Sequence, residues 1–278
     1  MSTTLKVRAQ AGDCKSSVPL GASGLRYVGF AAHELAPGQA LRVDSGELEL
    51  CMVVLCGKVD VAVEGAAGAH AWQGIGERES LFDPQSPYAV YVPEGATLTV
   101  TGASPAQVAI ASAPGPTRAG QAERAAELAP RLILPEQMQR SVRGSGSNTR
   151  HVCDILPETE AAASLLVVEV VTPPGNSSSY PPHKHDSDNL PHESFLEEIY
   201  YHRLNPPQGF AFQRVYTDSR DIDESLCVEN HDVVKVPRGY HPVVVPHGYT
   251  SYYLNVMAGP RRVWKFHNDP AHEWLFSR

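Results

Sequence analysis

The stretch KVDVAVE, Lys58 to Glu64, places valine at every second position, and Gly57 separates it from the largely apolar run LELCMVVLC. Period-two alternation marks a strand with one wet face. Gly57 reads as the hairpin corner between the two strands. The same plan returns in the second half: an alternating strand, a corner, another strand, then P-x-G. Pro93-Glu94-Gly95 in the first half answers Pro237-Arg238-Gly239 in the second. Other short apolar stretches fit the scheme, among them YAVYVPEG, SLLVVEVVTPPG, EEIYYHRL, GFAFQRVYT and YTSYYLNVMAG. The 23 prolines and 22 glycines that punctuate them are the texture of an all-β chain rich in turns. We therefore expect two β-barrels or sandwiches in tandem: residues 1–115, a linker at 116–142 and residues 143–278. Ala113 to Pro130 is alanine- and charge-rich with prolines at its ends, which predicts a short linker helix. The last residues, RRVWKFHNDPAHEWLFSR, are expected to form a terminal helix against a sheet edge.

A length of 278 residues with 42% hydrophobic content suffices for sizeable cores. The net charge of -8 argues against a nucleic-acid partner. No apolar run reaches membrane-spanning length, and MSTTLKVRAQAGDCKSS lacks the apolar centre of a secretory signal. The odd, scattered set Cys14, Cys51, Cys56, Cys153 and Cys227 points to reduced thiols and a cytoplasmic location. Cys51 and Cys56 read as core thiols.

Chemistry concentrates in SYPPHKHDSD. His183 and His185 lie one residue apart, and the prolines before them favour an extended backbone, so both imidazoles face the same side. Glu197 and Glu198 follow on the candidate strand SFLEEIYYHRL, and the turn P-R-G delivers His241 onto HPVVV. Three imidazoles and a carboxylate meeting inside a barrel suit a divalent transition metal. The remaining histidines of that half, His151, His192, His202, His231, His247, His267 and His272, lack such company and read as structural or solvent-facing.

The order H-x-H, then Glu opening a strand with Tyr, then P-x-G-x-His resembles the metal motifs of the cupin superfamily. Within it, SYPPHKHD, ESFLEEIYYHRL, GFAFQRVYTD, DVVKVPRGYHPV and YYLNVMAG, with GERESLFDPQSPYAVYVPEG from the first half, resemble the isomerases of 5-deoxy-glucuronate that serve myo-inositol catabolism. The resemblance covers nearly the whole chain. It implies a bicupin whose metal ligands are His183, His185, Glu198 and His241, with Glu197 the first alternative and Glu193 a weaker one. It implies zinc or manganese foremost, with iron or nickel as alternatives. The stretch between His185 and the glutamate is about three times the usual cupin length. No H-x-H precedes LELCMVVLCG, so the first barrel is expected to lack ligands and to support a homo-oligomer or wall the site.

The resemblance implies interconversion of 5-deoxy-glucuronate and 2-deoxy-5-keto-gluconate, an aldose–ketose proton transfer that needs a base. Glu197, Tyr200 and Tyr253 are the candidates. A sugar-acid carboxylate also needs a cation. Arg214 is the first choice, with Arg203 and Arg238, and Gln213 is the polar contact if the strand parity is opposite. Lys184 should point away from the metal, and Arg143 and Arg150 in RGSGSNTR read as a solvated loop. A cupin oxygenase and a non-enzymatic sugar-binding bicupin are the rival expectations.

Overall fold

The computed structural model describes residues 4–21 and 24–277. In the first half, a six-stranded sheet with Leu48–Cys56 and Ala106–Pro114 at its centre faces a four-stranded sheet of Ala40–Asp44, Thr97–Gly102, Val59–Gly65 and Gly68–Ile75. In the second half a seven-stranded sheet runs Lys6–Val7, Val233–Val236, Glu197–Asn205, Thr250–Ala258, Leu166–Thr172, Arg150–Leu156, Gln139–Arg143. It faces a four-stranded sheet of Ser177–Ser178, Val243–Val244, Ala211–Tyr216 and Asp223–Val228. Neighbouring strands pair antiparallel throughout, as in Leu166–Thr172 against Thr250–Ala258. The two tandem all-β barrels expected from the alternation are present.

Three hydrophobic cores explain the composition of the central strands. Leu50, Met52 and Val54 fill the first barrel, and Val168, Tyr200 and Tyr253 belong to the second. Between the barrels the outer faces of the two large sheets pack together, burying Cys51, Val53, Leu55, Ile199, Tyr201, Tyr252 and Leu254. A strand covered on both faces has no wet side, which is why LELCMVVLC is apolar apart from Glu49 while the outer strand VDVAVEG alternates.

Sheet membership departs from the expected boundaries at 115 and 142. Lys6–Val7 pairs with Val233–Val234 in the second half's sheet. Arg131–Ile133 joins the first half's sheet, and Gln139–Arg143 joins the second's. The linker thus contributes an edge strand to each barrel, and its helical parts are two 3-10 segments, Ala122–Glu127 and Pro135–Gln137. The carboxyl end also differs from expectation. His267–Asn268 pairs with His183–Lys184, and a 3-10 helix, Pro270–Ser277, follows. No helix among the described residues is long and apolar enough to cross a membrane.

Buried carboxylates tie the halves together. Glu49 accepts hydrogen bonds from the backbone N–H groups of Ala163, Ser164 and Leu165 and from the Tyr91 hydroxyl. Glu197 accepts from the N–H groups of Arg26 (2.7 Å) and Tyr27 (2.8 Å). Arg78 and Glu169 form an ion pair at 3.0 Å with both side chains almost fully enclosed.

His202 gives the fold a pH dependence. Its ring is fully buried and Nε2 donates to Gln213 Oε1 at 2.9 Å. Burial lowers its pKa to about 4, against 6.5 for a free imidazole. Above pH 6.5 neither state is protonated and the full stability is present. As pH falls toward 4, the unfolded chain takes up a proton that the folded chain refuses, and stability is lost over that window. Urea unfolding at pH 7 and pH 4.5 should show a loss from this group of about 2 kcal/mol. His202→Gln should flatten that part of the profile.

Candidate metal centre

Strand parity decides which residues reach the interior of the second barrel. On Glu197–Asn205, Ile199 and Tyr201 lie in the core between the barrels, while Tyr200 and Leu204 belong to the barrel interior. Adjacent residues alternate sides. Glu198 therefore faces inward with Tyr200, and Glu197 faces the first barrel, where the amides of Arg26 and Tyr27 occupy it.

The stretch between His185 and Glu198 is a two-stranded ribbon, Asp186–Asn189 with Glu193–Phe195. Glu193 serves that ribbon, accepting from the N–H groups of Asp186 (2.7 Å) and Ser187 (3.1 Å). The ribbon brings Leu196 back to His185: Leu196 N–H donates to His185 O at 2.9 Å, and His185 Nδ1 donates to Leu196 O at 2.8 Å. The extra length is thus looped out without displacing the glutamate.

His241 arrives from the other side. Gly239 has φ +95°, and a Cβ there would stand 2.5 Å from Tyr216 O, so the turn before the histidine needs glycine. His241 Nδ1 donates to Gly239 O at 2.8 Å. Both His185 and His241 therefore spend Nδ1 on a backbone carbonyl and aim Nε2 at the interior. Those Nε2 atoms lie 3.0 Å and 3.1 Å from the same atom, Glu198 Oε2. The other oxygen, Oε1, accepts from Asn255 Nδ2. All three side chains are buried, and their donor atoms lie within 4.8 Å of one another.

The electrostatics follow from this convergence. Burial by itself would raise the Glu198 pKa, but His241 and His185 outweigh it and bring it down to about 2. His241 Nε2 is enclosed yet has no aligned hydrogen-bond partner among the described residues. Two imidazole nitrogens aimed at one carboxylate oxygen, one of them otherwise orphaned, form a donor set that fits a divalent cation. His183 stands beside the three. Its ring centroid is 4.9 Å from that of His241 and 6.4 Å from that of His185, and it leans on Phe266 at 4.7 Å. Burial, then the neighbouring imidazoles, push its pKa well below 6.5, so the ring is held neutral. Lys184, between the histidines, points away to Asp186 (2.9 Å) and Asp218 (2.8 Å).

The cavity beside this cluster is lined by Glu198, His183, Tyr200, Tyr253, Asn255 and Trp264, with Arg143 and Arg150 at its edge. Its free volume is about 40 Å³, room for an ion or a water or two. Tyr200 Oη is 2.8 Å from Ser179 Oγ. The arginines expected to hold a carboxylate lie elsewhere. Arg214 alternates outward and pairs with Asp223 at 2.8 Å, because Gln213 takes the inward position. Arg238 is exposed and pairs with Asp221. Arg203 faces the first barrel, donating to Gln107 at 2.6 Å and to Asn230 at 3.0 Å. Gln213 points inward but spends its amide on His202 and on His241 O. The pair read as loop, Arg143 and Arg150, reaches the cavity.

In the first barrel, Leu50, Met52, Val54, Val90, Val92, Val100 and Val108 fill the interior with hydrocarbon where the second barrel carries its donors.

Two antiparallel barrels in tandem, the second with an enclosed His/Glu cluster, define a bicupin. The fold is also that of an oxalate decarboxylase from Lactobacillus farciminis, with TM-score 0.66 at 10% identity, covering 100% of this chain and 91% of that one. A sequence model of the KduI/IolB family matches residues 5–275, and the chain belongs to that family. It is 51% identical over 252 residues to a 5-deoxy-glucuronate isomerase of Geobacillus kaustophilus, covering 91% of this chain and 87% of that protein. It is 50% identical over 257 residues to the 5-deoxy-glucuronate isomerase of Bacillus subtilis strain 168, covering 92% and 90%. The crystal structure of an IolB-like protein from Salmonella typhimurium LT2 superposes with TM-score 0.91 at 42% identity, covering 98% of this chain and 99% of that one.

Proposed function

We propose that the chain is a metal-dependent 5-deoxy-glucuronate isomerase of myo-inositol catabolism, forming 2-deoxy-5-keto-gluconate, with its active site in the second barrel. One observation carries the reading: His185 and His241, each locked by a backbone carbonyl, converge on one oxygen of Glu198 in a chain about half identical to isomerases of that name. His183 is the fourth ligand, one ring away. Manganese or zinc is the ion this donor set suits first, with iron or nickel as alternatives. When bound, such an ion supplies a Lewis acid that polarises a carbonyl without a change of oxidation state.

The chain's own residues do the rest. Asn255 fixes the Glu198 carboxylate so that a single oxygen faces the histidines. Val168, Val170 and Trp264 keep bulk water from the pocket. Aldose–ketose isomerisation moves a proton from the carbon bearing the hydroxyl to the neighbouring aldehyde carbon, and a side chain must hold it in transit. With Glu197 committed to the amides of Arg26 and Tyr27, Tyr200 and Tyr253 are the phenols that line the cavity, and Ser179, which lines it too, anchors Tyr200. A sugar acid is larger than the free space, so it enters as the Trp264–Phe266 segment over His183 yields. Five unpaired cysteines fit a reducing compartment, and the cytoplasm is the proposed location. The relatives' names weigh against an oxygenase and against a non-enzymatic binder.

Turnover in D₂O tests the proton route. Deuterium should appear at the new hydroxymethyl carbon of the product. Product free of solvent deuterium would exclude proton exchange through a side chain open to water and point to direct hydride transfer.

A further inference from the structure

Arg143 and Arg150 are direct cross-strand partners. The strands Gln139–Arg143 and Arg150–Leu156 pair in register, with Arg143 opposite Arg150 and Ser141 opposite Val152. Val152 belongs to the core of the second barrel, and Arg150, two residues before it on the same strand, shares its side. Both guanidinium groups therefore stand at the rim of the cavity that holds Glu198, His183 and Tyr253. Like charges directly opposite on neighbouring strands are unfavourable unless something negative lies between them.

The rest of the surroundings supplies little of that charge. Arg143 has Asp154 at 3.6 Å and sits over the Trp264 ring at 5.7 Å. Arg150 has no carboxylate partner among the described residues, and its side chain donates only to Asn148 O at 3.1 Å. Burial lowers the pKa of Arg150, Tyr253 opposes that, and the charge of Arg143 adds to it. Trp264 lines the same cavity, and its Nε1 is an enclosed donor with no hydrogen-bond partner among the described residues. Gly144 makes the arrangement feasible: with φ +76°, it leaves open the place where a Cβ would stand 2.6 Å from Arg150 Nη1.

We propose that Arg150, assisted by Arg143 and the Trp264 indole N–H, is the anchor that holds the substrate's carboxylate at the cavity rim while its carbonyl end reaches the His/Glu cluster. This rests on the proposed isomerase reading and deepens it, because it names the group that selects sugar acids over neutral sugars. A guanidinium with free donors matches a carboxylate in two parallel hydrogen bonds, which a lone ammonium cannot reproduce.

The test is binding, so it does not require turnover. Calorimetry on the metal-loaded protein would compare D-glucuronate with its neutral methyl ester for wild type, Arg150→Met and Arg150→Lys. The wild type should prefer the acid by roughly tenfold or more, the range of hydrogen bonds to charged groups. Arg150→Met should lose that preference by weakening acid binding while leaving the ester within about twofold, and Arg150→Lys should recover part of it. Guanidinium ion added to Arg150→Ala should restore acid binding, which separates a missing contact from a damaged fold. Equal wild-type affinity for acid and ester, or an Arg150→Met protein that still prefers the acid, would overturn the assignment. Absence of isomerase turnover alongside an intact, Arg150-dependent acid preference would instead count against the isomerase reading alone.

Discussion

Glu198→Gln should bring isomerase turnover down by on the order of 10³-fold or more and strip most of the bound ion, with the barrel still folded. The substitution keeps the shape that Asn255 and the two imidazoles surround, but it removes the only carboxylate among the residues lining the cavity. His241→Ala should act as strongly, because it deletes the nitrogen that Gly239 aims. Asn255→Leu should be milder, lowering metal affinity by about 10- to 100-fold, as expected for a group that orients a ligand. Metal analysis, steady-state rates and thermal unfolding measured together check the series. Glu197→Gln is the contrasting case. Its carboxylate faces the first barrel, so it should cost stability while metal content stays near that of the wild type.

The second large effect is on stability. Arg78→Met should destabilise the protein by about 3–5 kcal/mol, the cost of leaving a buried carboxylate without its cation. Glu169 would then retain only the Tyr252 hydroxyl, which donates to it at 3.1 Å. Combining Arg78→Met with Glu169→Leu should recover much of the loss, since an apolar pair of similar volume avoids burying either charge. Denaturant unfolding of the two single variants and the double variant would measure the coupling. Because Arg78 and Glu169 come from different halves, additive losses would show that the pair does not bind the barrels together.

The sequence made the strand pattern and the order of donors legible, because both depend on local spacing. H-x-H and P-x-G-x-His place imidazoles by rules that hold within a few residues, and the alternating strands announce one wet face. Parity on EEIYYHRL was not legible. Both faces of that strand are buried and both carry polar side chains, because Tyr201 packs between the barrels while Tyr200 packs inside one. The continuous run LELCMVVLC carried the clue that a second layer covers this sheet. The arginine pair was hidden by composition: RGSGSNTR has the residues of a turn, and a turn it is, but both flanking arginines lie on paired strands. Nor does a two-residue strand such as His267–Asn268, which holds the H-x-H segment in place from the far end of the chain, leave a periodic signal.

The most direct measurement is elemental analysis of the purified protein coupled to its isomerase rate on 5-deoxy-glucuronate before chelation, after chelation and after add-back of manganese or zinc. About one divalent ion per chain is expected when the site is loaded, with activity lost with the ion and regained with it, and no such ion in His241→Ala. Full turnover by chelated protein verified to be free of metal would contradict that expectation.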